Sequence, residues 1–196
     1  MSAAPSSPPE APAFSAAPAG AVPLPPVRPT WAFLRAHPAH AIALGFGAGL
    51  SRVAPGTAGT LWGWAVFVVL AHVLSPFALG VVTLAAWPVG WWACTVAARN
   101  LRIPDPGAVV WDEIAAIWLV LWLLLPAGLL AQIVAFLLFR LFDAAKPGPV
   151  GWADRLIPHD PAAPRWALSG LGILLDDLVA AFCTLLVIAL ARAFFW

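Results

Sequence analysis

WDEIAAIWLVLWLLLPAGLLAQIVAFLLFRLFDAAKP, residues 111–147, is the stretch that decides the fold. Its apolar part, residues 114–139, runs for 26 residues without a charge and is interrupted by Pro126-Ala127-Gly128. Read as one tilted membrane span, it carries Arg140, Lys146, Arg155 and Arg165 to the far side, against the tendency of basic residues to stay in the cytoplasm. Read as two short helices turning at residues 126–128, it brings the chain back and leaves Asp112 and Asp143 on the same side. An arm of about 12 residues reaches only about 18 Å, so such a hairpin has to be partly re-entrant or shielded by other helices. The hairpin keeps the charges together and is the expected arrangement.

The surrounding sequence agrees with a membrane setting. Of 196 residues, 62% are hydrophobic and 10% charged, where soluble domains carry about 25% charged residues. A net charge of +1 offers no basic surface for nucleic acid, and nothing points to a protein partner. Upstream, residues 61–74 and 77–98 form two apolar runs separated by Ser75-Pro76. A span takes about 20 apolar residues. The second run suffices, and the first does if its helix starts inside Pro55-Gly56-Thr57-Ala58-Gly59-Thr60. The pair is expected as a helical hairpin, with Arg28, Arg35 and Arg52 before it and Arg99 and Arg102 after it holding both ends in the cytoplasm. Downstream, residues 167–191 carry Asp176-Asp177 near their middle, and residues 178–196 still suffice to span with Arg192 snorkelling at the far end. His72, inside a run, reads as a packed core residue, and Cys94 and Cys183, each alone among apolar neighbours, as buried small hydrophobes. Residues 1–30 hold nine of the 21 prolines and read as a disordered tail without the features of a signal peptide. Residues 31–196 then form a single all-α, polytopic membrane bundle.

Carboxylates are costly in such a chain, and eight of the nine lie between Asp105 and Asp177. Asp112-Glu113 opens the deciding stretch at a helix N-terminus, where the macrodipole favours negative charge; capping alone would account for it. Asp143 and Lys146 are three apart on one helical face near its end, and a surface ion pair would account for them. Trp152-Ala153-Asp154-Arg155 sits in a Pro/Gly-rich connection that reads as a solvated loop. Asp176-Asp177 is harder to explain, because one Asp at a span's centre costs about 2.5–3.5 kcal/mol and two together repel. A helix beginning at the interface near Asp176 would relieve this; otherwise a divalent cation is the economical partner, since Mg²⁺ is held by one or two carboxylates with phosphate and water. Gly45-Phe46-Gly47-Ala48-Gly49-Leu50-Ser51 and Pro55-Gly56-Thr57-Ala58-Gly59-Thr60 suit a phosphate cradle of backbone N–H groups and hydroxyls. Glycines in membrane helices also serve close packing, and no Gly-Lys-Ser/Thr of a P-loop follows.

Taken in order, these segments resemble the phosphatidylglycerophosphatase A family of bacterial membrane lipid phosphatases. The matching pieces are the two glycine-rich stretches, Val110-Trp111-Asp112-Glu113, Phe139-Arg140-Leu141-Phe142-Asp143-Ala144-Ala145-Lys146-Pro147-Gly148-Pro149, Asp154-Arg155 and Gly170-Leu171-Gly172-Ile173-Leu174-Leu175-Asp176-Asp177, together covering about residues 40–190. Asp105-Pro106-Gly107 is a weaker match. Arg52 departs from the pattern and stays outside the expected site, and residues 158–168 lengthen a link that the family keeps short.

The resemblance implies a helical fold and Mg²⁺-dependent removal of the terminal phosphate of phosphatidylglycerophosphate, a membrane phospholipid, to give phosphatidylglycerol and inorganic phosphate. It implies a multi-pass protein of the bacterial inner membrane with its active site on the cytoplasmic face. On this reading Asp112, Glu113, Asp143, Asp176 and Asp177 are the metal ligands. Arg140, Lys146 and Arg155, with Ser51, Gly56 and Thr57, bind the substrate phosphate. Asp143, Asp154, Asp176 and Asp177 are the catalytic carboxylates, with Asp154 or one of the adjacent pair holding the attacking water. An aspartyl-phosphate route ranks second because no Asp-x-Asp is present, and none of the four histidines falls in a matched segment. Two rival classes are a small ion-coupled transporter, which calls for inverted repeats that the sequence lacks, and a metal-dependent lipid phosphotransferase, whose Asp-x-x-Asp-Gly spacing is missing.

Overall fold

The structure is a computed structural model that describes residues 25–157 and 164–195. Most of the Pro-rich tail, residues 1–24, and most of the extra link, residues 158–163, lie outside the described residues. Every regular element among the described residues is helical: α1 (Trp31–Ala36), α2 (Pro38–Ala43), a 3₁₀ segment (Gly45–Leu50), α3 (Pro55–Val73), α4 (Pro76–Leu101), α5 (Trp111–Leu123), α6 (Leu129–Ala145), α7 (Pro149–Leu156) and α8 (Trp166–Phe195). Proline stands in the first turn of α2, α3, α4 and α7, where its missing N–H breaks no helical hydrogen bond. The Ser75 hydroxyl caps α4 by accepting from the Ala78 N–H. Residues 25–30 carry no helix, and the Val27 N–H donates to the Leu101 carbonyl at the end of α4.

Helices α3, α4 and α8 are long and apolar enough to cross a membrane. As expected, α3 starts inside the glycine-rich stretch, and the deciding segment is a hairpin, α5 and α6, broken between Leu123 and Leu129. The first pair is a hairpin in connection more than in packing. Helices α3 and α4 separate below their tight turn, and α5 wedges between them. Nine of the 13 residues of α5 are buried, which is how a helix only about 20 Å long is kept away from lipid.

Close approach comes from small residues on one face of α3. A Cβ on Gly59 would lie 2.7 Å from the Val110 Cβ, and one on Gly63 would lie 3.0 Å from the Ile117 Cγ2, so both positions let α3 press onto α5. Indole groups then tie the helices across the interfaces. Trp111 Nε1 donates to the Ala86 carbonyl at 2.9 Å, Trp118 Nε1 to the Gly63 carbonyl at 2.7 Å, and Trp122 Nε1 to the Pro76 carbonyl at 3.0 Å. Such bonds contribute on the order of 1 kcal/mol each in a membrane. The last one places the α5–α6 turn beside the α3–α4 turn, so both tips lie at one end of the bundle and the carboxylates at the other.

Helix α8 is continuous through Asp176-Asp177 and does not begin there. Beyond Asp177 it runs 18 residues to Phe195, about 27 Å against a hydrocarbon core of about 30 Å, so the acidic pair falls at the edge of the apolar layer. Two expectations change. His72 is exposed near the end of α3, its Nδ1 paired with the Val68 carbonyl at 2.7 Å, because the helix stops one residue later. Residues 149–156 are helical and not a loop: Pro149 starts α7, and Val150 and Ala153, three apart, are both buried. Cys94 is buried as expected, and Cys183 only partly.

Candidate active site

The turn at residues 124–128 returns the chain, so the start of α5 and the end of α6 meet. Asp112 and Glu113 come from the first turn of α5, Asp143 from the last turn of α6, Lys146 from its C-cap, Asp154 from α7, and Asp176 and Asp177 from α8. All seven line one pocket of about 140 Å³, with Asp105 from the α4–α5 connection on its wall and Gly172 and Ile173 of α8 beneath.

Lys146 does not pair with Asp143 along α6. Its backbone is left-handed, with φ at 45°, where α6 ends. The side chain therefore leaves the α6 face and its Nζ bonds Asp154 at 2.5 Å and Asp176 at 2.7 Å, clasping α7 to α8. Burial acts to lower the ammonium's pKa, but the hydrogen bonds and charges of the two carboxylates outweigh it, and the group is held well above the ordinary lysine value. Asp143 instead pairs with Arg140, whose guanidinium also lies 4.0 Å from Glu113 and donates to the Thr60 hydroxyl at 3.3 Å. Arg140 is not part of the pocket lining.

The remaining carboxylate oxygens have no such partners. Asp112 Oδ1, Glu113 Oε2 and Asp177 Oδ2 are buried with no hydrogen bond, and the three groups bring oxygens within 4.8 Å of one another. At an effective dielectric of about 20, two charges at that distance repel by about 3.5 kcal/mol. Three carboxylates facing one another, Asp177 buried and the other two half-buried, with unused lone pairs suit a hard cation with oxygen ligands. Asp112, Glu113 and Asp177 are the three residues that could hold such a cation. Asp143 stands next to Asp177, while Asp176 is already engaged by Lys146.

The other expected residues are spread more widely. Gly56 packs on the site, for a Cβ there would run into Glu113 Oε1. Thr57 is not in the lining. Ser51 is exposed, bonds the Val53 carbonyl at 2.8 Å and borders a separate groove with Trp31 and Trp62. Arg155 is exposed on α7, with its guanidinium turned back toward Gly151. Thr60, to which the sequence assigns no role of its own within the glycine-rich stretch, is fully buried and bonded to Arg140. The signal for it is the spacing of Gly56, Gly59, Thr60 and Gly63, which is that of one helical face.

Residues 41–192 match the sequence model of the phosphatidylglycerophosphatase A family. A phosphatidylglycerophosphatase A of Haemophilus influenzae is 32% identical over 152 residues, 78% of this chain and 87% of the relative. One of Escherichia coli is 34% identical over 146 residues, 74% of this chain and 77% of the relative. A Bacteroides thetaiotaomicron protein provisionally named a phosphatidylinositol-3-phosphatase is 34% identical over 159 residues, 77% of this chain and 91% of that protein. No solved structure matches the chain. With a helical membrane bundle, one pocket gathering the seven separated polar residues, and a family match across that whole region, the chain belongs to the phosphatidylglycerophosphatase A family of phosphatases.

Proposed function

We propose that the chain hydrolyses the terminal phosphate of phosphatidylglycerophosphate, releasing phosphatidylglycerol and inorganic phosphate as a step of phospholipid synthesis, and that it uses Mg²⁺ to do so. The observation that carries the reading is the trio of unpartnered oxygens on Asp112, Glu113 and Asp177, beside a lysine, in a member of this family. Those three residues, with Asp143 adjacent, would hold the Mg²⁺, which when bound supplies Lewis-acid stabilisation of phosphoryl charge. Lys146 presents a permanent positive charge at the pocket wall where the phosphoryl group enters. The Asp154 side chain, 37% exposed, meets solvent, as Asp105 does on the pocket wall, and it takes one proton of the attacking water as the water oxygen bonds to phosphorus and the glycerol oxygen leaves, to be protonated by solvent. Asp176 fixes Lys146 in place. Ser51, Thr57 and Arg155, farther out, would meet the substrate's glycerol and phosphodiester portions rather than the reacting phosphoryl group.

The site is proposed to face the cytoplasm from the bacterial inner membrane. Of the ten basic residues, Arg28, Arg35, Arg52, Arg99, Arg102, Arg140, Lys146, Arg155 and Arg165 belong to the pocket end of the bundle, leaving Arg192 alone at the other, and short loops rich in Lys and Arg stay inside. The test is phosphate release from phosphatidylglycerophosphate by the purified chain in detergent, with and without Mg²⁺. Release that requires Mg²⁺ and is abolished in Asp112→Asn and Asp177→Asn variants is expected. Release undiminished by chelation, or near-normal turnover by both variants, would overturn the reading.

A further inference from the structure

The geometry points to Thr60 and Gly56 of α3 as positioning residues that act on the cation-binding carboxylates through Arg140. The inference rests on the metal reading above and assigns Arg140 to the back of the site instead of to the substrate phosphate. Three observations carry it. First, Arg140 is absent from the pocket lining, although Glu113 and Asp143, which it touches, both line it. The guanidinium thus stands behind the carboxylates, on the side away from the space that a phosphate would enter. Second, Thr60 is fully buried, and its hydroxyl is used in both directions, donating to the Gly56 carbonyl at 2.9 Å and accepting from Arg140 Nη1 at 3.3 Å. That oxygen fixes where Nη1 sits, and Nη1 is the atom that faces both Glu113 and Asp143. Third, a Cβ on Gly56 would run into Glu113 Oε1 and lie 3.3 Å from both Nη atoms of Arg140, so the bare Cα leaves the space in which the arginine and glutamate meet.

The chain of contacts is therefore Thr60 to Arg140 to Glu113 and Asp143, linking α3, α5 and α6. Oε1 of Glu113 faces Arg140 and Oε2 is unpartnered, while the carboxylate as a whole stands within reach of Asp112 and Asp177. Partners of this kind set the orientation of carboxylate ligands, and their loss commonly lowers metal affinity by about 10- to 100-fold. A valine of the same shape at position 60 would fill the space but remove one of the two acceptors of Arg140 Nη1, leaving Asp143 alone to hold it.

The experiment uses the full chain in detergent and reads Mn²⁺ binding by electron paramagnetic resonance alongside phosphate release at saturating Mn²⁺. Thr60→Val is expected to weaken Mn²⁺ binding by about tenfold while leaving the KM for phosphatidylglycerophosphate at saturating Mn²⁺ within about twofold, and Thr60→Ser, which restores the hydroxyl, is expected to bind Mn²⁺ nearly as the unaltered chain does. Helical circular dichroism of each variant guards against misfolding, and Thr60→Ser, smaller by a methyl, separates the hydroxyl from the packing. A Thr60→Val variant with unchanged Mn²⁺ affinity and a raised lipid KM would place Arg140 on the substrate and overturn the inference. So would a Thr60→Ser variant that loses as much affinity as Thr60→Val. Absence of saturable Mn²⁺ binding by the unaltered chain would overturn the metal reading and the inference together, which distinguishes the two failures.

Discussion

Replacing Asp177 with Asn should make the chain more stable without Mg²⁺ and less stable with it. Asp112, Glu113 and Asp177 form three close pairs, each repelling by about 3.5 kcal/mol when both members are ionised at an effective dielectric of about 20. The substitution removes two of the three repulsions, about 7 kcal/mol as an upper bound. A proton taken up within the cluster already relieves much of this, which leaves about 1–3 kcal/mol, the usual scale of a single substitution. At about 2–4 °C per kcal/mol for a chain of this size, the unfolding midpoint without divalent cation should rise by roughly 2–12 °C. Mg²⁺ at 1,000 times its dissociation constant stabilises a one-site protein by about 4.1 kcal/mol, so the unaltered chain should overtake the variant at that concentration. The 12 tryptophans supply the signal. Intrinsic fluorescence of the detergent-solubilised chain, heated at one fixed rate because membrane proteins seldom unfold reversibly, reports both midpoints. A lower midpoint for the variant without Mg²⁺, or an equal gain from Mg²⁺ in both proteins, would refute the reasoning.

Three further outcomes follow from other parts of the structure. Lys146→Met leaves Asp154 and Asp176 without their shared cation and should lower phosphate release by about 100-fold or more, the scale of a lost charge-stabilising contact, with Lys146→Arg in between; half-normal release by Lys146→Met would mean that the clasp is dispensable. Gly80→Ala drives a Cβ into the Trp122 ring at the turn end of the bundle, so it should lower stability by about 1–3 kcal/mol while turnover per folded molecule stays unchanged, as thermal melting combined with an initial-rate assay would tell. A pocket of about 140 Å³ admits a phosphoryl group on a flexible primary alcohol more readily than one on an inositol ring. Phosphatidylglycerophosphate should therefore be cleaved at least about tenfold faster than phosphatidylinositol-3-phosphate, a ratio that needs only about 1.4 kcal/mol of discrimination, and equal rates in mixed micelles would contradict that size limit.

The parts of this molecule legible in its sequence are those where one physical cost dominates. Carboxylates are expensive in an apolar chain, so Asp176-Asp177 stands out from the sequence alone, whereas Asp112, Glu113 and Asp143, which capping or a surface ion pair could explain, join it through the family resemblance. Pro126-Ala127-Gly128 marked the turn because nine of the ten basic residues needed to share one side. The partner of each charge was not legible. Asp143 and Lys146 share a helical spacing, but the left-handed backbone at Lys146 turns its side chain to α7 and α8, and Arg140 takes Asp143 instead. Helix α7 was hidden because its composition is that of a turn, and only two buried side chains, Val150 and Ala153, declare its face. Ser51 and Thr57 drew notice as hydroxyls beside glycines, whereas the hydroxyl that reaches the site is Thr60, one helical turn beyond Gly56.

The division of charges explains how such a site persists in a chain with so little polar surface. Lys146 and Arg140 pair with Asp154, Asp176, Asp143 and one side of Glu113, two positive charges against four carboxylates, and these contacts form without any ligand. Of the carboxylates left without a basic partner, Asp177 belongs to α8, while Asp112 and the free oxygen of Glu113 sit at the N-terminus of α5, where Val110 provides no capping side chain. The first-turn N–H groups and the helix dipole there favour negative charge, typically by about 0.3–1 kcal/mol per group and up to about 2 kcal/mol when partly buried. That is less than one carboxylate pair's repulsion of about 3.5 kcal/mol at 4.8 Å, so the dipole alone does not hold the cluster, and the packing of α5 must. Helix α5 is buried on nearly all sides and braced by three indole hydrogen bonds, which keeps its first turn from swinging the acids out to solvent. Rigid packing of α5 thus holds these carboxylates in opposition, and their uncompensated repulsion is what the proposed cation would relieve.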